Sequence, residues 1–133
     1  MELTCTVTGR APAALAWERY VHPAQWPSWS PQIRRVECCD DVLRTGSVGV
    51  VHALLGVKVP FEVTEFDDER RTWSFTARLP LSVRLHLTHT VQDAGTGCRT
   101  GLVVRGPAPV VVGYLPVARL ALFRLVLPVR ETR

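Results

Sequence analysis

Between Glu2 and Thr8, the residues Leu3, Cys5 and Val7 alternate with Glu2, Thr4 and Thr6, the period of two that marks a half-buried strand. Gly9 ends the run. The period then changes. From Ala11 to Val21, Pro12 opens a segment whose apolar positions Ala13, Leu15, Ala16, Trp17, Tyr20 and Val21 recur at helical spacing, which predicts a short helix with one face on a sheet. His22 to Pro31 holds three prolines and two tryptophans in ten residues, a composition that allows short turns braced by indoles but no long helix. Strand patterns return at 34–39, 47–55, 57–66, 72–79, 82–92 and 98–105. The breaks between them, at Asp40-Asp41, Gly46, Gly56, 67–71, Pro80 and 93–97, are too short for parallel crossovers, so neighbouring strands are expected to pair as antiparallel hairpins. Pro107 and Pro109 introduce a last helix, which Pro116 is expected to kink and which runs towards Pro128. The order is strand, two small helices, six strands and one long helix: an α+β chain.

Taking the apolar phase of each strand as inward gathers Val57, Val59, Phe61 and Val63; Trp73, Phe75, Ala77 and Leu79; Val83, Leu85, Leu87, His89 and Val91; and Leu102 and Val104. Only His89 clearly interrupts this apolar set. A histidine there is either satisfied by a core or rim partner, or free to hydrogen-bond a ligand carbonyl or hydroxyl and to act as acid or base. His52 depends on which phase of an ambiguous strand faces in: it joins the interior with Val48, Val50 and Leu54, and leaves it if Val51, Ala53 and Leu55 are inside. Glu65 is expected to mark a strand end. On the last helix, a 100° wheel puts Tyr114, Ala118, Ala121 and Leu125 on one side, and Leu120, Phe123 and Leu127, flanked by Arg119 and Arg124, on the other. The two alanines would leave room above the sheet. The Tyr114 hydroxyl would face either a ligand or the surface, and the outer apolar patch would meet a second subunit or a membrane.

Composition narrows this picture. At 133 residues the chain suits a single domain, spanning 1–133, that hides roughly two-thirds of its unfolded surface. The net charge of +4 comes from fifteen scattered arginines and one lysine, Lys58, with no clustered stripe, so no nucleic-acid partner is expected. Cys5, Cys38, Cys39 and Cys98 lack C-x-x-C spacing and read as reduced packing residues. His86 and His89 take opposite strand phases, so no metal site is expected. The opening MELTCTVTGR has no apolar secretory core, and a cytoplasmic chain is expected. The sequence contains no G-x-S-x-G elbow, H-E-x-x-H pair or P-loop, and its G-T-G-C-R-T-G turn fails dinucleotide spacing. No cofactor is expected.

The order of elements, together with W-P-x-W-S-P-x-I at Trp26 to Ile33, the R-R-V-E that follows, L-R-T-G-S-V-G at 43–49 and V-T-E-F-D-D-E-R-R-T-W-S-F at 63–75, resembles the SRPBCC superfamily. This START-like, helix-grip group includes polyketide cyclases, coenzyme Q-binding proteins, lipid carriers and pollen-allergen relatives. The resemblance implies a seven-stranded antiparallel sheet wrapped around the C-terminal helix, with a cavity between them for a hydrophobic molecule. Cyclase-like members fold a poly-ketone chain and steer its ring closure; carriers hold a lipid or isoprenoid without reaction. By position, His89, Tyr114 and His52 are the catalytic candidates. The ligand would be lined by Trp26 and Trp29 from the proline-rich loop, Phe61, Trp73, Phe75, Leu85, Leu87 and Leu102 from the sheet, and Ala118 and Ala121 from the helix. Arg78, Arg84, Arg99 and Arg105 all take the outward phase, which disfavours dehydration by a strong acid.

Overall fold

The computed structural model describes residues 1–127; Pro128, towards which the last helix was expected to run, and the rest of the 1–133 span lie outside the described residues. Strand β1 (Glu2–Gly9) is followed by α1 (Ala13–Val21), a single 3-10 turn at Pro23–Gln25 and the short α2 (Trp26–Trp29). Six strands follow, β2 (Ile33–Cys38), β3 (Val48–Ala53), β4 (Lys58–Asp67), β5 (Thr72–Leu79), β6 (Val83–Ala94) and β7 (Gly97–Arg105), and then α3 (Ala108–Leu125). The strands form one antiparallel sheet in the order β1-β7-β6-β5-β4-β3-β2. Five hairpins therefore lie side by side, and β1 closes the sheet against β7.

Prolines set the helix starts. Pro12 caps α1 in an extended conformation and its carbonyl accepts from the Leu15 and Ala16 amides, while Pro107 and Pro109 open α3. The helix α3 runs unbroken across Pro116, which costs the Val112 carbonyl its helical donor on an exposed turn. Its buried residues Val111, Ala118, Ala121, Leu122 and Leu125 face the sheet, and among the strands it packs mainly on β1, with a lesser contact on β7. At the end of α3 a Cβ on Gly9 would lie 2.3 Å from Val126 Cγ2, so glycine is what lets the helix settle on β1. Because α3 sits over the β1–β7 side, the inner faces of β3 to β6 are left partly uncovered. That offset makes the cavity.

The strand β4 carries a bulge between Val63 and Glu65, after which Phe66 pairs with Trp73. Glu65 is exposed within the strand and does not end it, and the extra residue turns Phe66 back onto Trp17, 5.4 Å between ring centres.

Candidate functional site

Two connected spaces lie between the sheet and α3. The outer chamber, about 310 Å³, is lined by Val51, Val59, Phe61, Ala77, Leu79, Leu85, Leu87 and Val110, with Gln32 and Tyr114 as its polar members. It reaches the surface beside Leu54 and Val57, which are partly exposed. A narrower inner pocket, about 50 Å³, continues past Gln32, Ile33, Val51, Phe75 and Tyr114 to Tyr20, Trp26, Trp29, Trp73 and His89, with Leu102, Ala118, Ala121 and Leu122 closing its walls. Among the described residues no Asp, Glu, Lys or Arg lines either space.

The inner end is an aromatic cage. Tyr20 sits edge-on to Trp29, Trp73 and His89 at 5.4, 5.4 and 5.1 Å, and Trp73 stacks on His89 at 4.0 Å with an interplanar angle of 8°. The stack follows from register, because Trp73 and His89 are direct cross-strand partners on β5 and β6. His89 Nδ1 is 3.3 Å from the Trp73 carbonyl oxygen and so carries the hydrogen that it donates, which makes Nε2 the lone-pair nitrogen. Burial drives the His89 pKa down to about 3, against the opposing pull of that carbonyl, so the ring is neutral at ordinary pH.

Three of the four indoles satisfy their N–H within the fold: Trp17 donates to Asp68, Trp26 to the Tyr20 carbonyl and Trp29 to the Arg19 carbonyl. Trp73 is the exception. Its Nε1, the Tyr20 hydroxyl and Gln32 Oε1 are buried without a hydrogen-bond partner among the described residues, and all three side chains line the inner pocket. Burial pushes the Tyr20 pKa well up and raises that of Tyr114 to about 12, with Gln32 opposing the rise at Tyr114. Both phenols are therefore protonated donors. The site offers uncharged donors and acceptors in an apolar enclosure, an arrangement that orients a carbonyl or hydroxyl without an ionic partner.

The structure brings together His89, Tyr114, Trp26, Trp29, Trp73, Phe75, Leu102, Ala118 and Ala121 in the inner pocket, and Phe61, Leu85 and Leu87 in the outer chamber. His52 is a correction. Val51 and Ala53 face the chamber, so His52 takes the opposite face, where its Nε2 meets Glu37 Oε1 at 2.5 Å. That contact, with Arg35 adding to it, lowers the Glu37 carboxyl below its usual range. Sequence reasoning missed Tyr20, which the α1 pattern made a packing residue, and Gln32, whose place before β2 carries no periodic signal. Leu120 and Phe123 on α3 are exposed, as is Leu127 just beyond it. Among the described residues no three His, Cys, Asp or Glu side chains converge as metal ligands would.

A family profile described as polyketide cyclase/dehydrase and lipid transport matches residues 1–123. No curated protein matches the chain. Among solved structures, Ara h 8.0201 superposes with a TM-score of 0.74 at 16% identity, covering 94% of this chain and 97% of that one. XoxI of Bacillus cereus gives 0.80 at 12% identity, over 94% and 92%. The di-domain ARO/CYC BexL of the BE-7585A biosynthetic pathway gives 0.80 at 17%, over 95% of this chain but 45% of that one. At these identities the three structures establish a shared fold.

Proposed function

The chain belongs to the polyketide cyclase/dehydrase and lipid-transport family, whose members bind hydrophobic small molecules, and we propose that it is a cyclase-like protein seating one polyketide-type ligand by its shape and by a buried carbonyl or hydroxyl. The observation that carries this reading is that three polar atoms without a partner among the described residues, on Tyr20, Gln32 and Trp73, belong to side chains that line the inner pocket. Buried polar groups are nearly always paired in folded proteins, so a cluster of exceptions beside a cavity marks where a ligand's polar group belongs. The apolar body of the ligand fills the outer chamber, whose volume is at the small end of ligand sites.

In the chemistry this supports, the Tyr20 hydroxyl and the Trp73 N–H hydrogen-bond a ketone oxygen and keep their protons, His89 Nε2 takes a proton from the adjacent carbon, that carbon bonds to a second carbonyl carbon of the chain, and the proton passes to the second carbonyl's oxygen. With so low a pKa, His89 is a weak base that shares a proton in a concerted step and does not hold it. Tyr114, between the two spaces, positions the middle of the chain. Most of the effect comes from holding a flexible chain in one fold, which brings reacting atoms together without charge. The alternative reading, a carrier that binds and releases an isoprenoid or lipid unchanged, uses the same cavity.

Calorimetric titration with 1-tetralone, a bicyclic ketone, and tetralin, its ketone-free counterpart, tests the seat. The ketone should bind roughly tenfold tighter or more, a difference of about 1.4 kcal/mol for one buried hydrogen bond, and Tyr20→Phe should shrink the gap. Equal affinity for the two compounds would overturn the polar seat.

A further inference from the structure

The loops at Leu54–Gly56 and Pro80–Ser82 have the same form. Each joins two strands through three residues, between Ala53 and Val57 in one and Leu79 and Val83 in the other, and in each the second and third residues have positive φ: Leu55 at 62° and Gly56 at 75°, Leu81 at 66° and Ser82 at 60°. Consecutive positive φ values are the province of asparagine and glycine. Here leucine takes the first such place in both loops, pays the left-handed strain of an L-residue, and is 97% exposed at Leu55 and 95% exposed at Leu81. Neither leucine recovers that cost by packing within the chain.

Sheet register puts the two tips at one end of the molecule, about two strand spacings or ~10 Å apart, and that end holds the cavity mouth beside Leu54 and Val57. Bases without an ion pair gather at the same end, where Glu37 is engaged by Arg35 and His52 and Glu2 by Arg105. Lys58, Arg34, Arg78 and Arg84 lie just behind the tips, and none has a carboxylate within 4.0 Å among the described residues. Arg78 and Arg84 are direct cross-strand partners, a like-charge pair that an isolated sheet disfavours. The far end carries Asp40, Asp67 and Asp93 in ion pairs with Arg44, Arg70 and Arg71.

We propose that the end bearing Leu55 and Leu81 docks on an anionic lipid surface, with the two leucines inserted and the unpaired bases over the headgroups, so that the cavity opens against the bilayer. The docking stands on the turns and charges; direct exchange of ligand with the bilayer rests on the cavity reading above. Insertion gives the exposed leucines the burial the fold denies them, and the Arg78–Arg84 repulsion is relieved by anionic lipid.

The test is flotation of the full chain with phosphatidylcholine vesicles, and with vesicles in which about a third of the lipid is phosphatidylglycerol. The wild type should float with the anionic vesicles and not with the neutral ones. L55N/L81N should bind on the order of a hundredfold more weakly, since two leucine side chains no longer leave water. Asparagine accepts left-handed φ, so the variant keeps its fold. Replacing Lys58, Arg78 or Arg84 by Gln should cost about fivefold each. A wild type that does not float, an L55N/L81N variant that floats undiminished, loss of flotation only in Phe123→Asp, or a wild-type dimer that L55N/L81N turns into a monomer would each overturn the proposal. Titration of L55N/L81N with 1-tetralone, expected to match wild type, reads the cavity separately, so the failure of either idea is visible without the other.

Discussion

The Tyr20 hydroxyl has no hydrogen-bond partner among the described residues, and a buried donor left so forfeits about 1–3 kcal/mol of hydration. Tyr20→Phe should therefore hold or raise the melting temperature while weakening ketone binding; parallel loss of stability and binding would mean that the hydroxyl has a structural partner. His89 makes a second prediction. Its folded pKa of about 3 lies below the ordinary 6.5, so between these values the unfolded chain binds a proton that the folded chain refuses. The stability that depends on a neutral His89 is intact above pH 6.5 and is lost as pH falls towards 3, by at most about 1.4 kcal/mol per pH unit. Denaturant titration of wild type and His89→Gln should show the acid slope flattened in the variant; identical slopes would place the burden on other groups. Alternation alone put Trp73 and His89 inside. It could not resolve His52, where both phases of β3 are apolar and the decision fell to Glu37 across the sheet.

Elements were legible where one period ran uninterrupted. The strand β6 shows apolar residues at every second position from Leu85 to Val91 except His89, and all four of these positions are buried. The strand β4 broke its own pattern with the bulge after Val63, and a bulge shifts phase without any residue that announces it. Helix α1 was read as packing, and Tyr20 is indeed packed; that its hydroxyl would lack a partner depends on β5 and β6, far away in sequence. Contact between elements yields a further prediction. Gly9→Ala would drive a methyl into Val126 at the end of α3, a backbone-adjacent overpacking worth about 1–3 kcal/mol of stability by chemical denaturation. No loss would mean that the end of α3 moves freely on β1. The twin turns predict the opposite sign: L55N/L81N should gain up to about 1 kcal/mol per site in solution, by relief of left-handed leucine, and a loss would show that the leucines pack within the chain.

At the scale of the molecule, the seven-stranded sheet and the helix laid across it were legible from the order of elements and the resemblance to the helix-grip group. The position of α3 was not. Its packing chiefly on β1 decides where the cavity opens, and that follows from the close approach at Gly9 and the small residues Ala118 and Ala121, whose effect is geometric and leaves no periodic trace. The gathering of bases at one end was hidden for a similar reason: Arg34, Lys58, Arg78 and Arg84 are scattered in sequence and come to one end only when the hairpins align. The claim on which the account turns is that the space under α3 holds one hydrophobic molecule by its shape and its polar end. Native mass spectrometry of the full chain with 1-tetralone, beside an Ala121→Phe variant whose ring fills the inner pocket, tests it most directly. A one-to-one adduct is expected in the wild type and none in the variant; no wild-type adduct, or an equal adduct in both, would mean that the space under α3 does not hold the ketone.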